Sequence, residues 1–124
     1  MKKNRREIGT HYEKLVAEVL IRHGYEILAY NFRGRRGEID LVALDGDTLV
    51  FIEVKYRKDL SCGRPEEAVD RRKQQVICRT ADEFRMKHLQ YAGLQIRFDV
   101  AAITGNRLRM YPHAFEYQGR NRWI

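Results

Sequence analysis

The sequence predicts an α/β fold, a mixed central sheet flanked by two helices, in the order α-β-β-β-α-β-β. Three observations carry it. Apolar residues recur at helical spacing in two segments far apart in the chain, alternating or branched and aromatic runs lie between and beyond them, and turn residues separate those runs. The 124 residues match the usual size of one domain, about 100–150 residues. One domain over residues 1–124 is therefore expected.

The first helix is predicted from Ile8 to His23, where Ile8, Tyr12, Leu15, Val16, Val19 and Leu20 share a stripe and Gly24 supplies the stop. Tyr25 to Phe32 is rich in aromatic and branched residues and reads as a strand closing in the loop Arg33-Gly34-Arg35-Arg36-Gly37. Two alternating runs follow, Glu38 to Leu44 and Leu49 to Arg57, with Asp45-Gly46-Asp47 between them as a hairpin signal. A loop from Lys58 to Pro65 leads to a second helix, whose stripe holds Val69, Lys73, Val76, Ile77, Thr80, Ala81 and Phe84. Leu94 to Ile103 is a further strand, Gly105-Asn106 turns it, and Leu108 to Tyr111 forms a short last one. From about Tyr117 to Ile124 the chain is polar and basic, and a loose tail is expected.

The 24 Lys and Arg outnumber the 17 Asp and Glu, for a net charge of +7. That excess bears on partners rather than fold and favours polyanions, DNA or RNA. No run is apolar and long enough to span a bilayer, and the basic start is followed by Glu7, His11, Glu13 and Lys14 rather than by the apolar core of a signal peptide. No membrane association is expected. Cys62 and Cys78 form no CxxC pair, and the four histidines show neither HxH nor HExxH spacing. A disulfide framework and a zinc site are thus not expected, and a reducing, cytoplasmic setting is.

Along Leu49 to Arg57 side chains alternate, so Phe51, Glu53 and Lys55 share one face and Val50, Ile52, Val54 and Tyr56 the other. The apolar face is expected to be buried, with Glu53 and Lys55 presented together opposite it. In the preceding strand Ile39, Leu41 and Ala43 share a face, and Glu38, Asp40, Val42 and Leu44 the other. The hairpin register decides whether Asp40 meets Glu53. A four-residue loop, Asp45 to Thr48, pairs Leu44 with Leu49 and sets Asp40 opposite Glu53, whereas a two-residue Asp45-Gly46 turn pairs Leu44 with Asp47 and leaves Glu53 diagonal. A three-residue loop would break the arrangement.

Carboxylates on opposed β-carbons about 4.5–5.5 Å apart repel unless a cation lies between them. Mg²⁺ suits such a place, since it is held by one or two carboxylates and completed by waters and phosphate oxygens. An isolated Glu-X-Lys is explained by an ordinary surface ion pair. Two features argue for more. Glu13 borders the apolar stripe of the first helix and can point toward the sheet, and Lys73 lies on the stripe of the second, where it either reaches a polar cavity or snorkels to the edge.

Asp40, twelve further residues and Glu53-Val54-Lys55, with Glu13 on a preceding helix, resemble the PD-(D/E)XK nuclease superfamily and its Holliday-junction-resolvase-like group. The phrases Gly34-Arg35-Arg36-Gly37-Glu38-Ile39-Asp40-Leu41-Val42, Phe51-Ile52-Glu53-Val54-Lys55-Tyr56-Arg57, Ala68-Val69-Asp70-Arg71-Arg72-Lys73 and Arg97-Phe98-Asp99-Val100 look like the bacterial YraN family. The match runs from roughly residue 8 to 115, with Ile39 where the superfamily name has proline. The resemblance implies a restriction-endonuclease-like αβββαβ core, a bound Mg²⁺ or Mn²⁺, and DNA as the substrate class. It implies that Asp40 and Glu53 hold the metal, that Glu13 adds to its shell, and that Lys55 orients or helps deprotonate the attacking water.

Arginine forks match phosphate oxygens, and Arg33, Arg35 and Arg36 lead into the Asp40 strand, Arg57 leaves the Lys55 strand, and Arg64, Arg71, Arg72 and Lys73 flank the next helix. Gly34 and Gly37 either let the backbone approach a phosphate or merely turn the chain. The expected activity is metal-dependent hydrolysis of phosphodiester bonds in DNA, branched or structured DNA included. The alternative is a non-catalytic nucleic-acid-binding protein that keeps the fold, and a third reading is a protein-interaction adaptor working through the tail. Cutting a four-way junction takes two symmetric incisions, so that role implies a homodimer.

Overall fold

Gly24, at a φ of +89°, turns the chain out of α1 (Arg5–Arg22) toward β1 (Glu26–Arg33). The N–H groups of Gly24 and Tyr25 donate to the carbonyls of Ile21 and Leu20, each at 3.0 Å, which closes the helix with the left-handed residue that glycine adopts without steric cost. After β1 come β2 (Glu38–Asp45), β3 (Thr48–Arg57), α2 (Arg71–Lys87), a 3-10 turn (Leu89–Tyr91), β4 (Gln95–Thr104) and β5 (Arg107–Phe115). The computed structural model describes residues 5–57 and 69–119, apart from the side chains of 5–10 and of Arg57. Arg64 and the rest of the predicted Lys58–Pro65 loop lie outside the described residues, as does the end of the tail.

The five strands form one sheet in the order β1-β2-β3-β4-β5. Only β3 and β4 run parallel, joined across α2, and the other neighbours are antiparallel. This is the expected mixed sheet with two helices. Both of its faces are buried, whereas the alternation in β3 predicted one apolar face and one charged face. Val16, Ala17 and Leu20 of α1 pack on Leu41, Ala43, Val50, Ile52, Ala101 and Ile103. On the other side Ile77, Cys78, Ala81 and Phe84 of α2 cover Val42, Leu49, Phe51, Phe98 and Val100. Each such side chain contributes about 1.5–3 kcal/mol by leaving water. The predicted charged face is thus buried through Phe51 and Glu53, and it carries charge only from Glu53 onward.

Three further differences have local causes. The last strand reaches Phe115 rather than stopping at Tyr111, because Phe115 stacks on Phe98 with ring centroids 5.0 Å apart. The predicted tail is docked at its start: the Tyr117 hydroxyl donates to Asp82 at 2.8 Å and the Gln118 N–H reaches Cys78 Sγ at 3.2 Å. Tyr56, expected in the buried face, is 51% exposed, since it lies beyond the reach of the α1 core residues and stacks on Tyr12 instead.

Candidate functional site

The site is built where β2 and β3 part. Their ladder runs from Asp45↔Thr48 through Leu44↔Leu49 to Leu41↔Ile52, so the register is the one that sets Asp40 level with Glu53. The turn that delivers it is Gly46-Asp47, with Gly46 at a φ of +59°, in place of either predicted loop. Beyond Leu41↔Ile52 the pairing stops on the β2 side, while β3 remains paired to β4 as far as Arg57↔Thr104. At this fork the Val54 N–H donates to the carboxylate of Asp40 (Oδ2, 2.7 Å). A side chain has taken the place of a strand.

Asp40 can do so because the alternation of β2 breaks there. Ile39 packs with the α2-side core and Leu41 with the α1-side core, although residues two apart in a regular strand share a face. The prediction that Ile39, Leu41 and Ala43 share a face is therefore wrong at Ile39. Across the β1–β2 ladder, Tyr30↔Leu41 and Phe32↔Ile39 bracket Asn31 and Asp40, and Asn31 has a φ of +50°. Asparagine is the residue other than glycine that most readily adopts this conformation. The kink in both strands frees the Asp40 carboxylate from the sheet face and turns it toward the fork.

Glu13 arrives from α1, one helical turn before Val16 and Ala17, and is only 6% exposed. Its carboxyl lies within hydrogen-bonding reach of Asn31 and Asp40, and its Oε2 is buried with no partner among the described residues. Glu53, 7% exposed, follows Phe51 on the face that α2 covers. Its Oε1 takes Lys73 Nζ from the first turn of α2 at 3.1 Å and Lys55 Nζ at 3.7 Å. Asp70 caps that turn by accepting the Lys73 N–H at 2.8 Å.

Burial dominates the electrostatics. It pushes Asp40 up to about 6, helped by the charge of Glu13 and opposed by the Val54 N–H. Burial likewise raises Glu53, with Asp40 adding to the effect and the two lysines opposing it, and it raises Glu13 against the hydrogen bonds of Asn31 and Asp40. For Lys73 burial alone would favour the neutral amine, yet the carboxylates of Glu53, Asp40 and Asp70 outweigh it and hold the ammonium more firmly protonated than usual. Three carboxyl groups that resist ionisation, Glu13 and Glu53 buried and Asp40 half-buried, are a place where added positive charge is favoured.

That chemistry fits a hard divalent cation, which Asp40, Glu53 and Glu13 could hold with water completing the shell. The orphaned Glu13 Oε2 supplies an oxygen still seeking a positive partner. Among the described residues no three His, Cys, Asp or Glu side chains are already gathered as a metal cage, because Glu53 faces its lysines and Asp40 faces Val54.

The structure thus brings Glu13, Asp40, Glu53, Lys55 and Lys73 together. Arg35, Arg36 and Arg72 are exposed, and Arg33 forms an ion pair with Glu38 at 3.7 Å, itself 71% exposed. Gly34 and Gly37 serve neither predicted purpose alone: a Cβ on Gly37 would overlap Val76 Cγ1 and one on Gly34 would overlap Glu83 Oε2. They let the loop lie directly on α2, where the Arg35 N–H donates to Glu83 at 2.8 Å. Sequence reasoning missed Asn31. Its signal was a strand-breaking amide between Tyr30 and Phe32 in an otherwise apolar run.

Fold and site together define a small mixed α/β protein with a buried ionic cluster on the carboxyl half of a parallel strand. The chain belongs to the family described as "Uncharacterised protein family UPF0102", whose pattern matches residues 12–103. It is similar to the UPF0102 protein of Caldicellulosiruptor bescii, 46% identical over 100 residues that make up 81% of this chain and 84% of that protein. The UPF0102 protein of Lachnoclostridium phytofermentans is 39% identical over 116 residues, 94% of this chain and 98% of its own. UPF0102 protein FN1370 of Fusobacterium nucleatum is 41% identical over 105 residues, 85% of this chain and 87% of its own. No helix among the described residues is long and apolar enough to cross a membrane.

Proposed function

We propose that this protein is a metal-dependent nuclease of the restriction-endonuclease-like, PD-(D/E)XK type, hydrolysing phosphodiester bonds in DNA. The observation that carries the reading is the cluster itself, in which half-buried Asp40 and buried Glu53 and Glu13 stand with Lys55 at one strand fork. The element order, α1 then β1 to β3, then α2 and β4, supports the αβββαβ core that the resemblance implies. Asp40, Glu53 and Glu13 would hold Mg²⁺ or Mn²⁺, which when bound supplies a more acidic water and neutralises charge on the phosphate oxygens.

The chain's own groups have separable tasks. Lys55, held by Glu53 on a strand paired through Arg57, presents a fixed positive charge where a phosphate or a polarised water would sit. Val54 fixes the Asp40 carboxylate through the backbone, so its orientation needs no further side chain. Arg71 and Arg72 stand exposed on the first turn of α2 beside Lys73, and Arg35 and Arg36 on the β1–β2 loop, and their forks would take flanking phosphates. Branched DNA is among the candidate substrates.

A panel of labelled junction, flap, linear duplex and RNA substrates, incubated with Mg²⁺ or Mn²⁺, tests this. Turnover is expected on DNA and is expected to fall at least about a hundredfold in Asp40→Asn and in Lys55→Ala. Cleavage surviving both substitutions would sink the assignment. One observation favours a second reading: Glu53 is already matched by two lysines, so the cluster is partly neutralised without a metal. A non-catalytic nucleic-acid-binding protein would then show binding that weakens steeply with salt and no turnover with any metal.

A further inference from the structure

We propose that Lys73 is a built-in counter-ion of Glu53 which a divalent cation displaces, so that cation binding releases the Lys73 ammonium to a phosphate group. The inference rests on the reading of the site given above. Positive charge in the cluster is unevenly spread. Lys73 Nζ at 3.1 Å and Lys55 Nζ at 3.7 Å both address Glu53 Oε1, while the buried Glu13 Oε2 has no partner among the described residues. A cation drawn in by Asp40 and Glu13 meets the nearer lysine on Glu53, and two positive groups on one carboxylate repel.

Lys73 is the one able to leave. Its side chain is 45% exposed against 29% for Lys55, and its flexible four-carbon stem can swing into water. Its backbone is held still by the Asp70 cap and by the loop that packs on α2 through Gly37 and Val76. Movement is thereby confined to the side chain. Once released, the ammonium joins exposed Arg71 and Arg72 on the same first turn, where the helix end also attracts phosphate oxygens. Cation and phosphate then strengthen each other's binding by the same factor.

Calorimetric titration of Mg²⁺ and Mn²⁺ into the full chain tests the exchange, comparing wild type with Lys73→Met, which keeps the stem, and Lys73→Arg, which keeps the charge. Lys73→Met is expected to bind the cations on the order of tenfold more tightly, with Lys73→Arg close to wild type. Melting curves with and without cation give a second readout, in which Lys73→Met is the variant that gains most from added Mg²⁺. Should Lys73→Met fail to fold, Lys73→Gln takes its place. Equal or weaker cation binding by the uncharged variant, with wild type binding normally, overturns the exchange and leaves the nuclease reading standing. No cation binding by any of them overturns both.

Discussion

At Asp40 a carboxylate stands in for a neighbouring strand, accepting the Val54 N–H at 2.7 Å, and the role does not require it to be charged. Folding raises its pKa from 3.8 to about 6. A carboxyl raised in this way is most compatible with the fold when protonated, so its contribution is complete below its ordinary value and is lost as pH rises through about 6. In EDTA the melting temperature should therefore carry a falling component across that window, and added Mg²⁺ should restore it above the window. Asp40→Asn keeps an acceptor for Val54 and removes the charge. It is expected to stabilise the metal-free protein at pH 7.5 by about 1–2 kcal/mol and to flatten the pH dependence. Asp40→Ala flattens the pH dependence in the same way but also removes the acceptor of the Val54 N–H, and is expected to be less stable than Asp40→Asn by about 1–3 kcal/mol. Thermal melts of the two variants separate charge from hydrogen bonding, and an Asn variant no more stable than wild type would contradict the electrostatic account.

At the scale of elements, the loop between β1 and β2 decides how α2 sits over the fork. A Cβ on Gly37 would overlap Val76 and lie 3.2 Å from Thr80 Oγ1, so Gly37→Ala is expected to push the loop off the helix and destabilise the protein by about 1–3 kcal/mol. Chemical denaturation measures it, and a loss below about 0.5 kcal/mol would show that the loop yields freely. The elements themselves were legible because their periodicities are local: α1, α2 and all five strands follow from spacing and turn residues. The hairpin was legible as a choice of registers, and the pairing of Leu44 with Leu49 was one of the two. What stayed hidden is whatever depends on a break in periodicity. The kink at Asn31 and Asp40 moves Ile39 to the other face, and no alternation rule announces that. Glu13 and Lys73 were visible as charged residues on apolar stripes, whereas their partners became visible only when three elements met. The docking of Tyr117 and Gln118 on α2 joins segments some 35 and 40 residues apart, beyond any local pattern.

For the whole molecule, a second ionic cluster at the opposite end of the sheet ties the strands together. Arg97 donates to Asp99 at 2.9 Å, to Asp45 at 3.0 Å and to the Tyr25 hydroxyl at 2.9 Å, and the His113 N–H donates to Asp99 at 3.1 Å. β1's approach, β2's end, β4 and β5 are thus joined through one guanidinium that is 11% exposed, on an aspartate that is 1% exposed. Each of these donors already lies within hydrogen-bond range of its acceptor, which marks the cluster as structural. Arg97→Met leaves Asp99 buried without a counter-ion, held only by the His113 N–H, and is expected to cost about 3–5 kcal/mol, read as a drop in denaturation midpoint. Restoration of stability by pairing it with Asp99→Asn would confirm that the uncompensated charge is the cause. The outermost strands share a further property. β5 carries Pro112, which has no N–H to offer, followed by His113 at a φ of +53°, and β1 carries the Ile27/Ala29 irregularity and Asn31 at +50°. Among the described residues neither rim offers a straight row of donors and acceptors, an irregularity that works against recruitment of a sixth strand from another molecule.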